Sequence, residues 1–260
     1  FIVRNRKEVT RIKVKVIMDT TADLPAGYLK KYDIELVPVY VTVDDRSYKD
    51  QFEITYEEVY TALRNGNHKL TTSGSSPIDF YEAISRNLDK YDAIFVTTIS
   101  SKLSSTFQSA QIAVKRIKSE KIYLFDSLGG SGSLGLVGLC VAKLAKKGKT
   151  MPEILSVVEK LRKRIIVRGY VDDLTNLQKS GRISKLKYYI AKLTNSKPIL
   201  ALIDGEITGI TRAGGKEKAI EKLIHLLQEQ LNQEDMYDIF ITHAEDKGTA
   251  EYILEELSKN

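Results

Sequence analysis

Small hydroxyl and carboxyl side chains recur in the first half of the chain. They occur as Asp19-Thr20-Thr21, as Thr97-Thr98-Ile99-Ser100-Ser101, as Asp126-Ser127, and in the loop "TTSGSSP" (71–77). The stretch "ISSKLSST" alone supplies five hydroxyls in eight residues. Capping a helix needs only one. Hydroxyls at helix starts can hold an anion through charge-assisted hydrogen bonds, helped by unpaired backbone N–H groups and the partial positive charge there. Few basic residues accompany them. The chemistry they suit is recognition of one carboxylate or one small phosphate.

The neighbouring sequence says how these groups would be brought together. The apolar runs "KVKVIM" (13–18), "IELVPVYVTV" (34–43), "DAIFVTTI" (92–99) and "KIYLFD" (121–126) predict strands. The stretches "TYEEVYTALRNG", "PIDFYEAISRNL", "LSSTFQSAQIAVKRI" and "SLGLVGLCVAKLAKKG" repeat apolar residues at helical spacing, and Pro77 suits the first turn of a helix. Such alternation predicts a mainly parallel sheet sandwiched by helices. Ligands of open α/β sheets sit beyond the carboxyl ends of the strands, where the hydroxyl-rich tails converge.

The second half reads differently. A helix over 152–164 precedes "IIVRGYV" (165–171), and another is expected near 185–193. In "PILALIDGEITGITR", Asp204-Gly205 lies between two strand-like runs, a hairpin signal. A helix over 216–231, a strand over "YDIFITH" (237–243) and a last helix follow. The fold class is therefore α/β with two domains. Residues 1–149 form an α/β domain carrying the hydroxyl-rich site. Residues 150–260 form an α+β domain with a mixed sheet.

Within "DSLGGSGSLG", Gly130-x-Gly132-x-x-Gly135 has the spacing of a dinucleotide-binding turn. Its context is wrong. Gly130 lies several residues past the strand, and the acidic residue about 20 positions on, Glu153, starts a helix. No complete Gly-x-x-x-x-Gly-Lys-Ser/Thr phosphate loop occurs, because Gly148-Lys149-Thr150 has Lys143 where the first glycine would stand. The small residues at Gly132, Gly135 and Gly138 would instead let another helix or an elongated apolar ligand approach the helix backbone.

Composition narrows the alternatives. The chain has 260 residues, 42% hydrophobic and 28% charged, as an ordinary globular protein does. No apolar stretch approaches the roughly 20 residues of a membrane span, and the N-terminus lacks a signal-peptide layout. The chain begins with Phe1, so residue 1 need not be the native start. The lone Cys140 rules out an internal disulfide and fits a reducing, cytoplasmic setting. The net charge of +6 comes from lysines spread along helical faces, with one local cluster at Lys179, Arg182, Lys185 and Lys187. That cluster could dock an acidic partner or a phosphate. Without aromatic-basic interleaving, no nucleic-acid partner is expected. His68, His225 and His243 are scattered, and no nucleophile–base pair or metal cluster stands out. No catalytic residue and no metal are expected.

Taken in order, these segments resemble the DegV family. "DTTADLP" is similar to its Asp-Ser-Thr-x-Asp-Leu, "TTSGSSP" to its Thr-Ser-Gln-Pro-Ser, and "ISSKLSSTFQSA" to its Ser-Ser-x-Leu-Ser-Gly-Thr-Tyr-x-Ser-Ala. "DSLGGSGSLGLV", "LQKSGRIS" and "KPILALIDGEI" resemble its Asp-Ser helix start, its Gly-Gly-Arg-Ile-Ser and its Lys-Pro-Ile…Asp-Gly. The resemblance implies two domains enclosing one long-chain fatty acid such as palmitate, stearate or oleate, with no cofactor. It implies a non-catalytic carrier subunit that presents the carboxylate to a separate ATP-dependent fatty-acid kinase, making acyl-phosphate for phospholipid synthesis. Transient contact with a membrane surface, without a transmembrane segment, fits such a carrier. Carried over residue by residue, Thr72 and Ser104 contact the carboxylate, with Ser100, Ser101 and Ser105 beside them. Arg182 and Arg212 are candidates for the head group, the transferred phosphate or the kinase. Gly132 and Gly135 are assigned to the acyl-chain wall.

There are departures. Ser105 stands for the family's Gly, Phe107 for Tyr, and an Arg-x-Arg reads Arg212-Ala213-Gly214. The family's terminal His-x-Gly-x-Gly is not found, which leaves a truncated chain or a missing contact as alternatives. Two other functions remain open on the residues alone. One is a small-molecule phosphoryl or acyl transferase using the same edge. The other is an interaction module using the basic face.

Overall fold

The computed structural model describes residues 12–66, 68–172, 174, 175, 177, 196–231 and 237–259. In chain order the first elements are β1 (Val14–Asp19), α1 (Ala26–Tyr32), β2 (Ile34–Val37), β3 (Tyr40–Val43), β4 (Arg46–Lys49), α2 (Tyr56–Asn65) and β5 (Leu70–Ser73). Then come α3 (Pro77–Ser85), β6 (Ala93–Thr98), α4 (Thr106–Ile117), β7 (Ile122–Asp126), α5 (Gly132–Lys146) and α6 (Met151–Arg164). The rest is β8 (Val167–Tyr170), β9 (Ser196–Ile203), β10 (Glu206–Gly214), α7 (Lys216–Gln228) and α8 (Lys247–Leu257).

The aliphatic runs make one parallel sheet, ordered β2-β1-β6-β7. Strand β6 is buried along its whole length, as a strand covered on both faces must be. Side-chain alternation divides its contents between two layers. Val16, Met18, Phe95 and Phe125 pack with Leu134, Val137 and Val141 of α5. Ile17, Ile94 and Val96 pack with Phe80 and Ile84 of α3 and with Ala110 and Ala113 of α4. The expected helix–sheet–helix sandwich is therefore present.

Three segments differ from the sequence-based expectation. The run 34–43 divides after Val37, where Pro38 has no N–H to give a ladder. Its second half, β3, leaves the parallel sheet and pairs antiparallel with β4 and β5. The short, polar strands β4 and β5 carry too little apolar alternation to be read in advance. The "YDIFITH" run is extended but joins no strand among the described residues. Its alternation serves two cores: Phe240 packs on the first, Ile241 on the second.

The second core lies between β9 and the helices α7 and α8, around Ile199, Ile220, Leu223, Ile224, Ile253 and Leu257. A mixed sheet was expected here; among the described residues every pairing is antiparallel, in the order β10-β9-β8. The hairpin turn is Asp204-Gly205, with both residues at positive φ (49° and 82°), as a tight hairpin turn requires. A division at 149/150 would group α6 with this second unit. The buried residues of α6, Met151, Ile154 and Val158, lie in the first core. The helix expected near 185–193 falls outside the described residues.

The glycines of α5 are packing devices. A Cβ at Gly138 would stand 2.1 Å from Met18 Sδ, and Met18 is fully buried. Replacing a helical glycine by alanine ordinarily gains about 1 kcal/mol. Here the core must make room, at a cost of about 1–3 kcal/mol for overpacking. Gly138→Ala is expected to lower stability in urea unfolding, the reverse of the helix-propensity effect.

Candidate functional site

The carboxyl ends of β1, β6 and β7 are tied together by side chains. Asp19, the last residue of β1, is fully buried. One carboxylate oxygen accepts from Ile99 N–H at 2.7 Å, across the end of β6. The other accepts from Thr21 N–H at 3.0 Å and from the Thr21 hydroxyl. Burial pushes the Asp19 carboxyl up to about 6, although these hydrogen bonds pull the other way. At the end of β7, Asp126 Oδ1 accepts from Ser101 N–H at 3.3 Å and from Leu128 N–H at 3.1 Å. Ser127 Oγ donates to Thr98 O at 2.6 Å and accepts from Gly129 N–H at 2.9 Å. Gly129 O in turn accepts from Ser100 N–H at 2.7 Å.

Beside this edge the loop after β5 meets the start of α4. Ser104 Oγ and Thr106 Oγ1 are 2.8 Å apart. Thr106 Oγ1 accepts from Ser75 N–H at 3.3 Å, and Ser104 Oγ accepts from Thr106 N–H at 3.2 Å. Gly74 faces all of them. A Cβ there would stand 2.7 Å from Thr106 Oγ1 and 3.0 Å from both Ser104 Oγ and Ser105 Oγ. Its φ is not in the left-handed region, so space rather than backbone strain calls for glycine. The adjacent Ser75 is 2% exposed, and its hydroxyl has no hydrogen-bond partner among the described residues. Buried polar groups are ordinarily paired, so an orphan hydroxyl at such a place invites a ligand.

The loop carrying Gly74 and Ser75 is anchored from below. Ser76 caps α3 in a capping box with Asp79. Asp79 also accepts from Tyr40 OH at 2.8 Å and pairs with Lys49 at 3.7 Å. Burial alone would raise the Asp79 carboxyl. The bonds from Ser76 and Tyr40, with the Lys49 charge, outweigh it and hold it below its ordinary value. The Tyr40 phenol, half-buried against that carboxylate, is pushed up to about 12. Thus β3, β4 and α3 share one polar joint beneath the loop.

The residues singled out from sequence are distributed as follows. Thr72 lies exposed on β5, opposite Val41 and two residues before Gly74. Ser104 is half-buried in the hydroxyl cluster, and Ser101 is half-buried on the neighbouring turn. Ser100 is fully buried, and its hydroxyl donates to Gly205 O at 2.7 Å while accepting from Lys102 N–H at 3.2 Å. That hydroxyl joins the β9–β10 turn to the strand ends. Arg212 is half-buried on β10, opposite Pro198. Arg182 and its basic neighbours lie outside the described residues. A close approach to α5 does occur, and the protein's own atoms make it. A Cβ on Gly132 would stand 2.2 Å from the Phe240 ring, and one on Gly135 would meet Ala22 O and Leu24. Those atoms occupy the space that an acyl-chain wall at Gly132 and Gly135 would leave for a ligand. The nucleotide-like glycine spacing is likewise taken up internally, since Ser133 Oγ closes the turn on Gly130 N and O at 2.9 and 2.7 Å.

Sequence reading missed Gly74, Ser75 and Thr106 as partners of Ser104. The signal was present in the five-hydroxyl stretch, which ends at Thr106. It also missed Asp19 as the tether of Ile99. Among the described residues, no group of three or more His, Cys, Asp or Glu side chains could hold a metal ion. No described helix is long and apolar enough to cross a membrane.

A parallel α/β core with a hydroxyl cluster beyond its strand ends, joined there to a second α+β unit, defines a protein of the open-sheet α/β class. The family model described as "Uncharacterised protein, DegV family" matches residues 13–260. The chain belongs to the DegV family. The fatty acid-binding protein of Thermotoga maritima is 31% identical over 256 residues, covering 96% of this chain and 88% of that one. Solved structures agree. DegV of Bacillus subtilis, described as a fatty acid binding protein, superposes with a TM-score of 0.83 at 27% identity, over 95% of this chain and 88% of its own. A fatty-acid-binding DegV family protein from Thermus thermophilus gives 0.79 at 29% identity, over 84% and 78%.

The cluster geometry carries a stability consequence. In Thr106→Val, Ser75 N–H loses its acceptor while remaining buried. Leaving a buried donor unpaired costs about 1–3 kcal/mol. Chemical denaturation is expected to show a loss of that size, whereas Ser105→Ala, at an exposed position, is expected to stay close to wild type.

Proposed function

We propose that this protein binds one long-chain fatty acid, with the carboxylate seated among Ser104, Ser75 and Thr72. The observation that carries the reading is the hydroxyl cluster around Gly74 with the unpaired, buried Ser75 hydroxyl beside it. Hydroxyl donors make charge-assisted bonds to a carboxylate without neutralising it. The acyl tail would supply most of the affinity, at about 0.8 kcal/mol per buried CH₂ before ordering costs. The names of the Thermotoga and Bacillus relatives support the same ligand class.

In this reading the protein is a cytoplasmic carrier without turnover of its own. Its ligand's carboxylate, still anionic, is presented to a separate ATP-using kinase. There a carboxylate oxygen attacks the γ-phosphorus, ADP leaves, and an acyl-phosphate forms. Arg212, on the second unit, would serve the head group or the docked kinase. Palmitate, stearate and oleate are the candidate acids.

Organic extraction of the purified protein followed by lipid mass spectrometry is expected to return long-chain acids. Repeated recovery of none, together with no binding of added palmitate or oleate, would sink the reading. A Thr72→Ala, Ser104→Ala double variant is expected to bind palmitate about 10- to 100-fold more weakly, the value of one or two hydrogen bonds to a charged group. Unchanged affinity in titration calorimetry rejects this location for the carboxylate.

A further inference from the structure

We propose that Asp19 is a positioning residue for the acid-binding edge: its carboxylate sets the loop bearing Ser100, Ser101 and Ser104. The inference rests on the fatty-acid reading for its binding readout. Asp19 itself touches no proposed ligand position. Its oxygens face three donors, namely Ile99 N–H, Thr21 N–H and the Thr21 hydroxyl. Ile99 directly precedes Ser100, so the 2.7 Å bond fixes where the hydroxyl turn begins. The turn's other carboxylate tether, from Ser101 N–H to Asp126, is longer at 3.3 Å.

The ionised carboxylate accepts from all three donors. A protonated carboxyl turns one acceptor position into a donor; the Thr21 hydroxyl must then accept instead of donate, and the bond from Ile99 N–H loses its charge assistance. Burial works against the ionised form. Asp19 is 0% exposed, and its carboxyl is raised to about 6. No charged group contributes to that shift. On the adjoining turns, Asp23 and Asp50 are themselves raised by burial. Asp126 ends the next strand but one, and the start of α5 brings Ser131 and Ser133, which are uncharged.

The sign of the linkage follows. A carboxyl raised in the folded state binds its proton more tightly there than in the unfolded chain. Its contribution therefore lowers stability as pH rises from about 4, the ordinary aspartate value, through about 6.

The test compares wild type with Asp19→Asn, using palmitate titration and thermal unfolding from pH 7.5 to pH 5. At pH 7.5 the variant is expected to bind palmitate about tenfold more weakly than wild type. Toward pH 5 that difference is expected to narrow, as wild-type Asp19 takes up its proton. The titration of palmitate itself cancels in the ratio of the two affinities. In wild type alone, the melting midpoint is expected to rise as pH falls through 6, with a steeper slope than in the variant. Equal affinity at pH 7.5 overturns the role of Asp19, as does an affinity ratio that stays constant from pH 7.5 to pH 5. If neither protein binds palmitate, the fatty-acid reading falls and takes this inference with it.

Discussion

At the carboxyl ends of β1, β6 and β7 the chain leaves its sheet while still buried. The backbone N–H groups beyond the last ladder bond must then find other acceptors, because an unpaired buried donor is costly. Three side chains meet that demand. Asp19 takes Ile99, Asp126 takes Ser101 and Leu128, and Ser127 takes Gly129. Each reaches from one strand end to the chain at a neighbouring strand end or to the turn that follows its own. The result is a rigid floor under the hydroxyl turn, made from residues whose first duty is to pair the backbone. The same need explains why hydroxyls and carboxylates crowd these tails.

The second unit is fastened to that floor. The Asp204-Gly205 turn lies on Ser100, and a Cβ on Gly205 would stand 2.5 Å from the Ser100 hydroxyl. The extended chain after Tyr237 forms a second fastening. Phe240 fills the notch over Gly132, Thr242 meets Ser131 at 3.0 Å, and Arg64 pairs with Glu245. Asp246 then bonds Tyr170 and Lys216 of the second unit, each near 2.8 Å. Both joints converge on the hydroxyl edge. Displacing the second unit would therefore disturb the turn that carries Ser100 and Ser101, so the edge and the second unit behave as one mechanical piece.

Much of this architecture was legible in the chain. The central parallel strands announce themselves because cover on both faces demands unbroken apolar runs such as "AIFV" in β6. The Asp204-Gly205 hairpin follows from two residues that tolerate positive φ. What escaped was decided by tertiary placement. Strands β4 and β5 are short and polar, and they exist because β3 offers them a ladder after Pro38 ends β2. The alternation of "YDIFITH" looks like one buried face of a sheet, yet its two faces serve two different cores. Of the site, Ser104 could be read from its hydroxyl-rich stretch. Gly74 could not, because its significance lies in three hydroxyls delivered by another segment. Ser100 and the glycines of α5 show the converse: residues that suggest a ligand in sequence are here occupied by protein.

The charge pattern of the edge argues for the kind of anion it suits. Asp19, Asp23 and Asp50 all lie near the ends of the strands, and burial raises each. Raised carboxyls signal an environment that solvates negative charge poorly. A phosphate dianion placed there would meet the same resistance twice over. A carboxylate carries one charge and can offset its desolvation through the long apolar tail attached to it. Neutral hydroxyls would then give it direction. The hydroxyl cluster, the buried carboxylates and the sparse basic groups are thus mutually consistent for a fatty acid. They are poorly matched to a nucleotide, whose phosphates need cations or a glycine-lined helix start left open.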